Sequence, residues 1–237
     1  MLTLFSIIAI GFILGMRHAT DPDHVIAVTT IVSRERSVGR AALIGVLWGL
    51  GHTVTIFIVG TAIILFNVVI PNRLGLSMEL SVGFMLIVLG IWNLGGFLHS
   101  HGDPQHSHMH QPESFSRLDH KLGGTALYQW LRPLAIGIVH GLAGSAAVAL
   151  LILATIRNST WAIVYLLVFG LGTIAGMMLI TVSIASTFHY VGSRFQRFGQ
   201  RLAMASGLLS LCFGLFVAYQ ICVTQGLFSG HPHWTPR

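Results

Sequence analysis

Charge is what this sequence of 237 residues has least of: Asp, Glu, Lys and Arg together make up 8% of it, where a soluble domain carries about a quarter. Seven residues are acidic, and glutamate occurs only as Glu35, Glu79 and Glu113, at loops or at the ends of apolar runs. There is no H-E-x-x-H motif, so a membrane metalloenzyme would need an Asp as its buried base. There is also no G-x-x-x-x-G-K-S/T, so any transport has to draw on an ion gradient, the membrane potential or a separate subunit. Cysteine is nearly absent. Cys212 and Cys222 fall on one predicted helix, about 15 Å apart in rise, too far for a disulfide. A thiol-based electron carrier would need paired cysteines in equivalent spans, and the first and fourth apolar runs have none.

In place of charge there are long apolar runs. The composition is 54% hydrophobic with a mean hydropathy of +0.78, which predicts an integral membrane protein whose main partner is the lipid bilayer. Runs of about 20 residues or more predict six transmembrane helices, at roughly 2–31, 41–66, 79–98, 133–156, 161–186 and 202–224. The fold class expected is therefore an all-α polytopic membrane protein. The first run has no basic stretch ahead of it and no small-residue cleavage site, so it reads as a span and not a signal peptide.

Basic residues cluster in alternate loops. Arg34, Arg36 and Arg40 fall in the first loop, Arg117, Lys121 and Arg132 in the third, and Arg194, Arg197 and Arg201 in the fifth, against Arg73, Arg157 and Arg237 on the other side. The positive-inside tendency then predicts cytoplasmic odd-numbered loops and both termini outside, in a cell (inner) membrane. The pI of about 10.2 follows from this bias and calls for no nucleic-acid partner.

The chain also repeats itself. His18 pairs with His140, Gly49-Leu50-Gly51 with Gly170-Leu171-Gly172, and Gly83 and Gly90 with Gly207 and Gly214, at offsets of 122, 121 and 124 residues. Three near-constant offsets across three helices predict an internal duplication. A unit with an odd number of spans places its copies in opposite orientations, giving a 3+3 inverted repeat of the kind that holds a substrate site between its halves. The expected organisation is a first three-helix repeat at 1–98, a His-rich cytoplasmic loop at 99–131, a second three-helix repeat at 132–224 and a short C-terminal tail at 225–237, frayed from Ser229 onward.

Only Arg17, Asp21 and Asp23 place charge inside an apolar run. Each costs roughly 2.5 to 3.5 kcal/mol at a bilayer centre on insertion scales, so such a cluster implies a use. The first span, about 31 residues and some 46 Å if straight, exceeds a hydrocarbon core of about 30 Å. Pro22 removes a backbone donor and disfavours helical geometry at Asp21, which predicts a break there. On an unbroken helix His18 lies about 120° from His24 and about 140° from Asp23; opened at Pro22, the three can converge. Imidazole and carboxylate together suit a first-row divalent ion such as Ni²⁺, Co²⁺ or Zn²⁺ better than Mg²⁺ or Ca²⁺. The competing expectation is a buried ion pair of Arg17 with Asp21 or Asp23 that merely locks two helices. His52, one residue after Gly49-Leu50-Gly51, and His140, the counterpart of His18, are further ligand candidates; each could instead make an interhelical hydrogen bond.

His18-Ala-Thr-Asp-Pro-Asp23-His24 fits the H-x-x-x-x-D-H signature of the nickel/cobalt transporter (NiCoT, NicO) family, and Trp48-Gly-Leu-Gly-His52-Thr53 resembles that family's second Gly-His-Ser/Thr motif. The resemblance implies a permease for Ni²⁺ or Co²⁺, not an enzyme, with His18, Asp23 and His24 in its selectivity site and His52 near it. It implies no cofactor, the metal being cargo. Classical members have eight spans against the six expected here. Their acidic motif in the later half is replaced by Gly137-Ile-Val-His140-Gly-Leu-Ala-Gly-Ser145-Ala-Ala, which is similar to the UreH-like, urease-associated branch. That branch implies a metallochaperone or urease maturation proteins as partners. The third loop carries His99, His101, His106, His108, His110 and His120, expected to buffer or sense metal loosely. The His231-Pro-His233 pair is a weaker capture element. Uptake and efflux both fit the sequence.

Overall fold

The computed structural model describes residues 4–33, 35, 37–66, 70–98, 130–143, 156, 158–194, 196–229 and 232–234. The regular structure among the described residues is all helix, with no strand among them. In chain order the helices are α1 (Leu4–His18), α2 (Pro22–Val32), α3 (Val38–Phe66), α4 (Asn72–Leu98), α5 (Trp130–Ala143), α6 (Ser159–Arg194) and α7 (Gln196–Tyr219), which runs into a π-helical turn at Gln220–Thr224. Four stretches, in α3, α4, α6 and α7 with its π-helical turn, are long and apolar enough to cross a membrane. The chain thus reads as a multi-pass membrane protein, all-helical among the described residues that form regular structure. The rest of the expected fourth span, at 144–155, and the His-rich loop, at 99–129, lie outside the described residues.

The expected first span is two helices. α1 has 15 residues and α2 has 11, so neither alone reaches across a hydrocarbon core of about 30 Å. Between them the backbone turns through Ala19 and Thr20, and Asp21 is extended, with φ −60° and ψ 146°. Pro22 is the cause. It opens α2, where a missing N–H costs nothing, and it forces the preceding residue out of helical geometry. Other boundaries also shift. α4 begins at Asn72 and not at 79, and α6 runs on to Arg194, because polar turns at a helix end escape a reading based on apolar length.

α3 lies along α6, α4 along α7, and α1 along α6. The contacts are close enough that backbone meets backbone: Gly15 faces Phe169, and Gly137 faces Trp48. Without a hydrophobic force between helices in lipid, small residues and buried hydrogen bonds hold such contacts together. Thr55 donates to the Ile138 carbonyl (3.1 Å) and Thr53 to the Gly170 carbonyl (3.1 Å). Farther along α2, the Asn93 amide donates to the Thr30 carbonyl (3.2 Å) and the Ser33 hydroxyl (3.0 Å), while Thr30 donates to the Ser206 carbonyl (3.2 Å). These bonds tie α2 to α4 and α7. Large apolar side chains such as Ile58, Phe84, Leu171 and Phe216 point outward, as a lipid-facing surface requires.

The described part of the tail is anchored, contrary to the expected fraying. Trp234 packs over Gly75 and donates from Nε1 to Glu79 Oε1 (2.8 Å), and Asn72 donates to the Pro232 carbonyl (2.9 Å). An aromatic ring with one polar atom found both an apolar seat and a partner at the start of α4.

Candidate metal centre

The break between α1 and α2 positions the centre. α1 delivers His18 as its last residue, α2 delivers Asp23 and His24 in its first turn, and α3 and α5 bring His52 and His140 from the other side. His24, His52 and His140 are buried, at 3%, 0% and 1% exposure. The His18 ring centroid lies 4.7 Å from that of His24 and 5.3 Å from that of His52. The His24 ring is 4.1 Å from that of His140 and 4.9 Å from that of His52.

Polar contacts knit the rings together. His18 Nε2 and His52 Nε2 are 3.2 Å apart. Asp23 reaches two imidazoles, Oδ1 to His24 Nδ1 at 3.1 Å and Oδ2 to His140 Nε2 at 3.0 Å. His18, His24 and His52 each offer a donor atom within 4.8 Å of the others, and so do Asp23, His24 and His140. Either group could hold a divalent cation. Its chemistry is further marked by donors left over: His24 Nε2, His52 Nδ1 and His140 Nδ1 are buried without a hydrogen-bond partner among the described residues. Buried polar atoms are ordinarily paired, so three orphaned imidazole nitrogens in one centre fit a ligand better than a finished hydrogen-bond network.

Arg17 is exposed and makes no ion pair with Asp21 or Asp23, so the helix-locking alternative has no counterpart among the described residues. Asp21 instead holds His18 Nδ1 at 2.8 Å. This is the arrangement by which a carboxylate fixes the orientation and basicity of a ligating imidazole. Sequence reasoning did not give Asp21 this part, although its i, i+3 spacing from His18 was a signal. Nor did it give a role to Trp48, the first residue of the Trp48–Thr53 motif. That ring is fully buried, stacks on His24 at 5.9 Å and 27°, and meets His140 edge-on at 5.4 Å, closing one wall of the centre. Phe169 closes another, 5.5 Å from His18.

The NicO family model, described as a high-affinity nickel-transport protein, matches residues 4–95, a stretch that includes His18, Asp23, His24 and His52 but not His140. The chain is 38% identical over 225 residues to the urease accessory protein UreH of Bacillus sp. (strain TB-90), covering 95% of this chain and 96% of that protein. It is 26% identical over 222 residues to a putative nickel/cobalt efflux system, MJ1092, of Methanocaldococcus jannaschii, covering 90% and 91% of the two chains. The chloroplast protein FOR GROWTH AND FERTILITY 2 of Arabidopsis thaliana is 27% identical over 221 residues, which span 87% of this chain and 54% of that longer protein. No solved structure matches.

Proposed function

We propose, from the premise that this chain belongs to the nickel/cobalt transporter (NicO) family, in its UreH-like branch, that it carries Ni²⁺ or Co²⁺ across the membrane through the buried His/Asp centre. The observation that carries this reading is convergence. Five donor side chains from four helices meet in the interior of a protein whose exterior is apolar, and three of their nitrogens have no other partner. The ion is cargo, and the family is one of transport proteins, which leaves no part for a metalloenzyme.

We read the scaffold as a 3+3 inverted repeat of six spans, and exchanged helix contacts support that reading. Gly15 lies against Phe169 and Gly137 against Trp48; Gly172 lies against Phe12 and Gly51 against Leu134. Under offsets of 121 and 122 residues, each contact is the image of its partner. Gly83 with Gly214 and Gly90 with Gly207 exchange in the same way at an offset of 124. A two-fold relation between the halves requires such swapped pairs, and it places the centre where the halves meet.

With odd loops cytoplasmic, His18 lies farther from the cytoplasm than His24. For a doubly charged ion the membrane potential is worth about 4.6 kcal/mol per 100 mV, which makes uptake the downhill direction. Export is the second reading, favoured by the efflux name of the M. jannaschii relative. The name of the Bacillus relative suggests that imported metal passes to a metallochaperone or to urease maturation proteins. Accumulation of ⁶³Ni²⁺ by cells expressing His18→Ala, Asp23→Asn or His24→Ala tests the site. Each should fall to background at normal membrane levels; near-normal transport by two of the three would remove the ligand assignment.

A further inference from the structure

The five side chains sort into two groups that share one member. His18, His24 and His52 form a group of three imidazoles; Asp23, His24 and His140 form a group of two imidazoles and a carboxylate. First-row ions sit about 2.0 to 2.1 Å from imidazole nitrogen, so two donors on one ion lie at most about 4.2 Å apart. Each group, with donors within 4.8 Å, contracts onto an ion with small movements. His24 cannot serve both groups at once, because a neutral imidazole has one unprotonated nitrogen.

We infer that the centre is a two-position relay, in which one ion moves between an all-imidazole position (His18, His52, His24) and a carboxylate position (Asp23, His24, His140), with His24 held in common. The inference rests on the transport reading above and specifies how the centre works within it. The two positions differ in charge. Three imidazoles leave an M²⁺ ion with its full charge in a buried setting, whereas Asp23 neutralises half of it, so the carboxylate position draws the ion onward. They differ in access as well. Each group has one partly exposed member, His18 at 15% in the first and Asp23 at 33% in the second, while the shared His24 is buried at 3%. Each position therefore has one member that is not fully sealed off. They also sit differently on the Ala19–Asp21 break: the all-imidazole position straddles it, because His18 belongs to α1, which packs on α6, whereas Asp23 and His24 both belong to α2, which is tied to α4 and α7. Bending at the break therefore opens or closes the all-imidazole position while Asp23 and His24 stay together on α2.

The test uses the full chain with its six loop histidines replaced by Gln, so that the buried centre dominates binding, and Co²⁺ as the probe, because its visible absorption reports its ligands. The pair variant His18→Asn/His52→Asn should keep one Co²⁺ at the carboxylate position, and Asp23→Asn/His140→Asn should keep one at the all-imidazole position. The two spectra should differ, both variants should lose transport, and His24→Asn should lose binding. Should a pair variant fail to fold, His52→Asn and His140→Asn singly should shift the wild-type spectrum in opposite directions. A single shell is the outcome if either folded pair variant binds no better than His24→Asn, or if both single variants shift the spectrum alike; either result overturns the relay while wild-type binding leaves the transport reading standing. Two ions bound per chain would overturn it too. Wild-type protein that neither binds nor moves the metal would remove the transport reading, and the relay with it.

Discussion

In the first half of the chain α1 ends at His18 and the backbone turns out of helix through Asp21 before α2 delivers Asp23 and His24; in the second, α5 runs through His140 without interruption to Ala143. At sequence offsets of 122 and 121 residues, Asp23 and His24 fall on Ser145 and Ala146, and His52 falls on Thr173. Thr173 is buried but gives its hydroxyl to the Phe169 carbonyl of its own helix (3.0 Å). Helix contacts, by contrast, exchange between the halves almost residue for residue. Packing and chemistry thus obey different rules here. Close backbone approach constrains both halves alike, whereas a cation needs one set of donors, and four of the five candidates come from the first half.

The contrast predicts symmetric damage for packing and asymmetric damage for chemistry. The largest effect should come from Gly15→Leu and Gly137→Leu. Each puts a side chain where another helix's backbone lies, so both should abolish folded protein in the membrane, to similar extents by fluorescence-detected size exclusion. Survival of one but not the other would break the symmetry of the scaffold. Next, His52→Asn should reduce ⁶³Ni²⁺ transport to near background, while its counterpart Thr173→Val, which loses about 1 kcal/mol of hydrogen bonding, should transport normally. Equal losses would place function in both halves. Smaller again, Asp21→Ala frees His18 Nδ1 and should lower ⁶³Ni²⁺ transport by about 10-fold or somewhat more without abolishing it, as loss of an orienting carboxylate does elsewhere. The smallest change should follow replacement of the six histidines between His99 and His120 by Gln, shifting the metal concentration for half-maximal transport and leaving the maximal rate largely intact.

The parts of this site that sequence reveals are those set by spacing. Pro22 announced the break, the repeat offset pointed from His18 to His140, and Gly49-Leu50-Gly51 pointed to His52 on a close-packed helix. Spacing cannot say which carboxylate meets which imidazole. Asp21 and Asp23 look alike in the chain, yet one orients His18 and the other bridges His24 to His140, a division decided by side-chain direction on either side of the break. Trp48 headed the Trp48–Thr53 motif without a role of its own, since aromatic stacking on a buried imidazole leaves no periodic trace. The tail was illegible for a related reason. Trp234 docks on Gly75 and on Glu79, the latter 155 residues away along the chain, and nothing local marks that pairing.

The central claim, that the buried His/Asp centre binds the transported ion, is most directly tested by titration calorimetry of Ni²⁺ into purified full-length protein carrying the six loop replacements, alongside the same protein with His24→Ala. Neutral imidazole is the ligand, so the titration belongs above about pH 6.5. One Ni²⁺ per chain should bind much tighter than millimolar, in preference to Mg²⁺ or Mn²⁺, and that binding should be lost in the His24→Ala protein. Equal binding by the two proteins, or no first-row ion bound tighter than millimolar by either, would contradict the central claim.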